Sequence, residues 1–271
     1  MKITSTLHNH CTMCDGDSTA EEMIDAAAAL GFTDFGMSCH GYAPFDPECS
    51  IKSEVSYIAE MDRLKSRYSG QLRLWCGVEE DLFAPSADRG RYDYIIGDVH
   101  YAKDPVSGEY IAIDGSREDF ARALNLIYNG NVTRLIARYY ENMVKAAEKK
   151  PDILGHFDLI VKNNRNGEFF DEDSREYTNL ALEALRACID CGVVFEVNTG
   201  AMARKMRLSP YPADFLLEEL CRLGGKVTLS ADCHRKDLII SHLDAALSAV
   251  KNAGFKTVSV WENGKFIEKE I

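Results

Sequence analysis

Ile3-Thr4-Ser5-Thr6-Leu7-His8-Asn9-His10 begins as a short apolar, β-branched run and ends in a histidine pair. β-Branched residues favour a pleated strand. Side chains two apart on a strand share a face, so His8 and His10 project together while Asn9 points away. One strand end thus offers two nitrogen donors to a metal ion. A zinc-like ion wants at least three protein ligands, so further His, Asp or Glu donors are expected at later strand ends.

The rest of the chain repeats strand and helix about seven times. Ser18-Thr19-Ala20-Glu21 fits a capping box before a helix that Gly31 ends. A strand over 33–39 delivers His40, and a helix over about 52–68 leads to a strand over 73–78 that runs into Glu79-Glu80-Asp81. The next strand, 92–99, ends at His100; 103–115 reads as a hairpin excursion, and a helical region over 117–150 breaks near Gly130-Asn131. A short strand at 153–155 closes at His156. After a helix over 174–190, a strand over 193–197 enters Asn198-Thr199-Gly200; after a helix over 213–223, a strand over 226–230 ends in Asp232-Cys233-His234.

The strands are near-continuous apolar runs, the mark of a parallel sheet covered by helices on both faces. Seven repeats in 271 residues suit a closed (β/α) barrel better than an open sheet. No linker, low-complexity run or fixed-period repeat divides the chain, so one domain over 1–271 is expected. Barrels build their active sites at the C-terminal strand ends. Six of the seven histidines stand there; the exception, His242, falls in a helical stretch over 238–250. One histidine at a strand end reads as structural, but six of them, with a His-x-His and an Asp-x-His pair, read as a metal site. Glu79 gains weight only from its place among them.

The net charge of −12, with no basic stripe, argues against long nucleic acids and anionic membranes as partners. A small anion remains possible where metal ions reverse the local sign. Nine cysteines, with no signal-like N-terminal segment and no run of about 18 apolar residues, suggest reduced thiols in a cytoplasmic protein. Cys11-x-x-Cys14 and Cys188-x-x-Cys191 have zinc-like spacing, but lie far apart and on no knuckle-like loop.

The order His8-x-His10, Asp15-Gly16, His40, Gly77-x-Glu79, Gly97-x-x-His100, Gly155-His156 and Asp232-x-His234 resembles the polymerase and histidinol phosphatase (PHP) superfamily over about residues 3–240. Three stretches resemble its histidinol-phosphatase branch: Asp93 to Tyr101, Gly155 to Leu159, and Glu196-Val197-Asn198-Thr199 with Arg204-Lys205 and Tyr211-Pro212. The resemblance implies a distorted (β/α)7 barrel with two or three divalent ions, Zn, Mn or Fe. It implies that His8, His10, Glu79 and Asp232 hold one ion, and that Glu79 bridges to a second held by His100 and His156. Asp15, His40 and His234 would hold the third. Glu79, Asp232 and His234 would then carry the catalytic chemistry.

Two departures stand out: Gly97-Asp98-Val99-His100 replaces the branch's usual Gly-Ser-Val-His, and the segment from Asn198 to Arg204 is longer than usual. The implied reaction is hydrolysis of L-histidinol phosphate to L-histidinol and phosphate, a step of histidine biosynthesis. Three divalent ions against three ligand carboxylates leave a positive surplus that suits a phosphate dianion. Lys162, Arg204 and Arg235 are candidates to hold the phosphate, and Cys233, on the opposite strand face, reads as packing. Alternatives are a related phosphoesterase acting on a nucleotide or short oligonucleotide, and a non-catalytic metal-holding module.

Overall fold

The structure, a computed structural model, describes residues 3–271. Strand β1 (Ser5–Thr6) is followed by helix α1 (Ala20–Leu30), β2 (Asp34–Met37), α2 (Glu54–Arg67), β3 (Arg73–Asp81) and β4 (Tyr94–Asp98). A small hairpin, β5 (Tyr101–Lys103) and β6 (Tyr110–Ala112), precedes α3 (Arg117–Tyr128), α4 (Val132–Glu148) and β7 (Ile153–Leu154). Then come α5 (Arg175–Asp190), β8 (Val194–Asn198), the short α6 (Gly200–Ala203), α7 (Asp214–Arg222), β9 (Lys226–Ser230) and α8 (Leu243–Asn252). A hairpin of β10 (Thr257–Glu262) and β11 (Lys265–Glu270) ends the chain.

Local chemistry sets several of these boundaries. The capping box of α1 forms one residue later than the Ser18-x-x-Glu21 spacing suggests, between Thr19 and Glu22, and Gly31 at φ 80° ends the helix in the left-handed region that glycine tolerates. The expected break near Gly130 is real: Asn129 and Gly130 both take positive φ, and Asn131 caps α4. The helix expected over 238–250 is shorter. A 3₁₀ turn at Lys236–Leu238 precedes it, and His242, at φ 57°, is the residue before the first turn of α8.

Seven strands form one sheet in the order β1-β2-β3-β4-β7-β8-β9, every pairing parallel. Among the described residues the barrel closes between its first and last strands through one bridge, Asn9 to Cys233. There the His10 N–H donates to the Cys233 carbonyl at 2.8 Å, and the Cys233 N–H to the His8 carbonyl at 3.2 Å. Below that bridge β10 lies against both β1 and β9. This terminal hairpin, which periodicity did not single out, makes the (β/α)7 barrel a distorted one.

The floor of the barrel is an apolar cluster of Leu7, Tyr94, Ile96, Ile153 and Trp261. Tyr94 lies across it and donates to the Leu7 carbonyl. Gly77 is required here, because a Cβ at that position would stand 2.1 Å from the Tyr94 ring. Among the described residues no helix is long and apolar enough to cross a membrane.

Candidate metal centre

The C-terminal strand ends converge on Glu79, at the rim end of β3. His8 and His10 lie just past β1 and face it as their spacing predicts, while Asn9 turns back and donates from Nδ2 to the Gly36 carbonyl at 2.8 Å. His8 Nε2 and His10 Nε2 each stand 3.2 Å from Glu79 Oε2, and Asp232 Oδ1 is 3.8 and 3.4 Å from the same two nitrogens. The other oxygen, Glu79 Oε1, faces His156 Nε2 at 2.9 Å and His100 Nε2 at 3.5 Å. A third group joins Asp15 Oδ2 to His234 Nε2 at 3.2 Å and to His40 Nε2 at 3.7 Å. His40 also turns Nδ1 to Glu79 Oε2 at 2.9 Å, so it links the third group to the first.

These donors fit divalent metal ions. Ligands held about 2.0–2.1 Å from one tetrahedral ion stand about 3.4 Å from each other, which is the spacing around Glu79 Oε2. His8 Nε2, His10 Nε2 and Glu79 Oε2 are buried and have no hydrogen-bond partner. Buried polar atoms left so are costly, and a cation at their common focus satisfies all three at once.

The back faces of the rings are held as well. Glu196 Oε1 meets His8 Nδ1 at 2.6 Å, and its Oε2 accepts from the His156 N–H and from Asn198 Nδ2, both at 2.9 Å. Asp98 Oδ1 lies 3.2 Å from His100 Nδ1, and Asp81 Oδ2 accepts from the His100 backbone N–H at 2.6 Å. A carboxylate behind a ligating histidine fixes its tautomer and raises its basicity. Sequence reasoning gave Glu196, Asp98 and Asp81 no role. The available signal was a lone acid inside an otherwise apolar strand, as in Val193-Val194-Phe195-Glu196-Val197.

Charge is concentrated here. Burial opposes ionisation of Glu79, but the His40 and His8 rings hold its carboxyl well below the usual range. Burial likewise works against the His8 imidazolium, yet Glu196, Glu79 and Asp232 raise its pKa well above 6.5. Ligating histidines must be neutral, so metal binding expels these protons. Asp98, fully buried, is pushed up to about 7 by that burial.

The donors open into a cleft of about 140 Å3 whose wall also carries Asp114, Lys162 and Arg204. Arg204 follows α6 and reaches Asp232 Oδ2 from Nη2 at 3.1 Å and His234 Nδ1 from Nη1 at 3.2 Å. Lys162 donates from Nζ to Asp114 Oδ2 at 2.9 Å. Arg235 is not brought to the wall: it is half exposed and pairs with Asp237 at 2.7 Å. A larger groove of about 520 Å3 between α4 and α5 contains none of the three donor groups. The two Cys-x-x-Cys pairs make no joint site: Cys11 meets Cys39 at 3.5 Å, and Cys188 and Cys191 sit at the end of α5. Cys233 is buried and donates to the Arg235 carbonyl at 2.8 Å.

Known proteins are similar to this chain in sequence and fold. The chain is 26% identical to the probable histidinol-phosphatase of Schizosaccharomyces pombe, across 97% of this chain and 90% of that one. It is 24% identical to the histidinol-phosphatase of Bacillus subtilis, across 84% and 92%. Its fold is similar to that of histidinol phosphate phosphatase from Lactococcus lactis, solved in complex with zinc, L-histidinol and phosphate, with a TM-score of 0.69 at 19% identity over 97% of this chain and 98% of that one. The model of the PHP domain matches residues 6–200, most of the barrel and seven of the nine candidate metal ligands at its rim, and the chain belongs to the PHP domain family.

Proposed function

We propose that this chain, acting as one unit over 1–271, is a metal-dependent phosphatase that hydrolyses L-histidinol phosphate to L-histidinol and phosphate. The observation that carries this reading is Glu79, which offers one oxygen to each of two histidine sets beside a small cleft with a basic wall. The names of the relatives and the ligands in the Lactococcus lactis structure support the substrate.

His8, His10, Glu79 and Asp232 would hold one ion, and Glu79, His100 and His156 a second. Asp15, His40 and His234 would hold a third; mixed histidine and carboxylate donors accept Zn, Mn or Fe. When bound, the ions supply Lewis acidity, ionise water near neutral pH and offset the charge of the phosphoryl oxygens. The chain's own groups then position the ester. Arg204 and Lys162 donate to phosphoryl oxygens, and Glu196 and Asp98 keep the His8 and His100 rings in register. No protein nucleophile is needed. Nine free thiols suit the reducing cytoplasm, where we place the protein.

The test is a comparison of kcat/KM for L-histidinol phosphate, nucleoside bisphosphates and short oligonucleotides, with metal content measured on the same sample. We expect a preference of about 100-fold or more for L-histidinol phosphate, on the order of 3 kcal/mol in transition-state binding. A preference for nucleotides would overturn the substrate assignment.

A further inference from the structure

Three carboxylates line the cleft, and two of them, Glu79 and Asp232, belong to the convergent donor groups. The third, Asp114, belongs to none of them. A carboxylate in the wall of a site for a phosphate dianion works against binding, both by direct repulsion and by neutralising Lys162 beside it. Its position is nonetheless built with care. The hairpin of β5 and β6 leaves directly from His100 and is tied back to it, with the Ile113 N–H donating to the His100 carbonyl at 2.8 Å. Asn163, itself buried, donates from Nδ2 to the carbonyls of Ile113 at 3.2 Å and Ser116 at 3.3 Å, which fixes the backbone on both sides of Asp114. Lys162 occupies one carboxylate oxygen, Oδ2, and leaves Oδ1 for another partner.

We propose that Asp114 is the specificity group that reads an ammonium on the substrate, so that the site selects aminoalkyl phosphomonoesters over neutral alkyl ones. This rests on the phosphatase reading above and adds to it the group that distinguishes substrates. In an aminoalkyl phosphate such as L-histidinol phosphate, the cation sits on the carbon next to the ester methylene. When the phosphate takes donation from Lys162 and Arg204, that cation lies within reach of the same wall. Asp114 then faces opposite charge on both sides, Lys162 and the substrate ammonium, and its cost to phosphate binding is offset. An ester without the amine meets the carboxylate unpaired, and discrimination follows from that difference.

The experiment uses the metal-loaded full chain and two matched pairs: L-histidinol phosphate with its deaminated analogue, imidazolylpropyl phosphate, and phosphoethanolamine with ethyl phosphate. In wild type the amine should raise kcat/KM about 10- to 100-fold in each active pair, the worth of one charge-assisted hydrogen bond. In Asp114→Asn the advantage should fall to about threefold or less, with the dissociation constant of L-histidinol raised by a similar factor and that of inorganic phosphate unchanged or lower. Equal losses on both members of a pair would mean that Asp114 acts only by orienting Lys162, which overturns the proposal. Wild type that handles both members alike overturns it without any variant. Should wild type leave L-histidinol phosphate intact, the substrate assignment fails, while the phosphoethanolamine pair still decides the role of Asp114.

Discussion

The two ends of the barrel interior are built from the same strands and stabilised in opposite ways. On β3, Trp75, Gly77 and Glu79 point to one face; on β4, Tyr94, Ile96 and Asp98 do the same. The lower members join the apolar cluster closed by Trp261, and the upper members meet the histidines. The floor is completed by the chain's own terminal hairpin. The rim concentrates buried donors that the protein alone leaves without partners. The transition from floor to rim thus occurs within a few residues along a single strand face. The floor should therefore govern stability and the rim activity, and each can be perturbed with little effect on the other.

The largest effect is expected at the floor. Trp261, buried against Tyr94, Trp75 and Phe266, leaves a large cavity when truncated, so Trp261→Ala should cost about 3–5 kcal/mol of stability. Denaturant unfolding measures the loss; kcat of the fraction that remains folded should stay within about threefold of wild type, well under 1 kcal/mol. At the rim, Glu79→Gln removes the charge shared by two donor sets. We expect kcat to fall at least about 100-fold, with little change in the unfolding midpoint of the metal-free protein. Near-normal turnover would break the assignment of Glu79 as the bridge. One layer back, Glu196→Gln keeps the shape behind His8 but weakens its orientation, and metal affinity should fall about tenfold by competition with a chelator.

The smallest effect is one of pH. Burial lowers the His40 pKa, but Glu79 and Asp15 outweigh it and raise the ring to about 10 in the metal-free protein. Since the unfolded value is about 6.5, this proton stabilises the metal-free fold fully below that pH, and the gain is lost as pH rises through about 10. A metal-bound ring is neutral and carries no such dependence. The Tm of metal-loaded protein should therefore exceed that of metal-free protein by a margin that widens between pH 7 and 10. A constant margin would remove His40 from the ligand set.

The sequence revealed much of this molecule because its decisive features are local. Strand runs, a capping box at the start of α1, one residue from where Thr19 and Glu22 form it, and the Gly130 break follow from neighbouring residues, and His8-x-His10 needs only strand periodicity to face one way. Glu79 was legible only through its company, since Glu79-Glu80-Asp81 alone reads as a solvated turn. What stayed hidden depends on distance in space. Glu196 is 188 positions from the His8 ring it orients, and Asp114 is 48 from Lys162. Trp261 joins the floor from a hairpin that makes no ladder with the main sheet. Lys162 could be placed near the rim from its distance beyond His156, but its partner could not. Arg235 follows His234 directly, and chain direction alone could not show that it turns to Asp237.

The proposed chemistry needs divalent ions to complete the rim. Its most direct test is to strip the protein with a chelator, then restore Zn or Mn stepwise while bound metal and hydrolysis of L-histidinol phosphate are followed together. We expect two to three ions per chain, no activity before the second is bound, and full recovery once the sites fill. Activity that survives complete removal of metal, or saturation at a single ion, would contradict it.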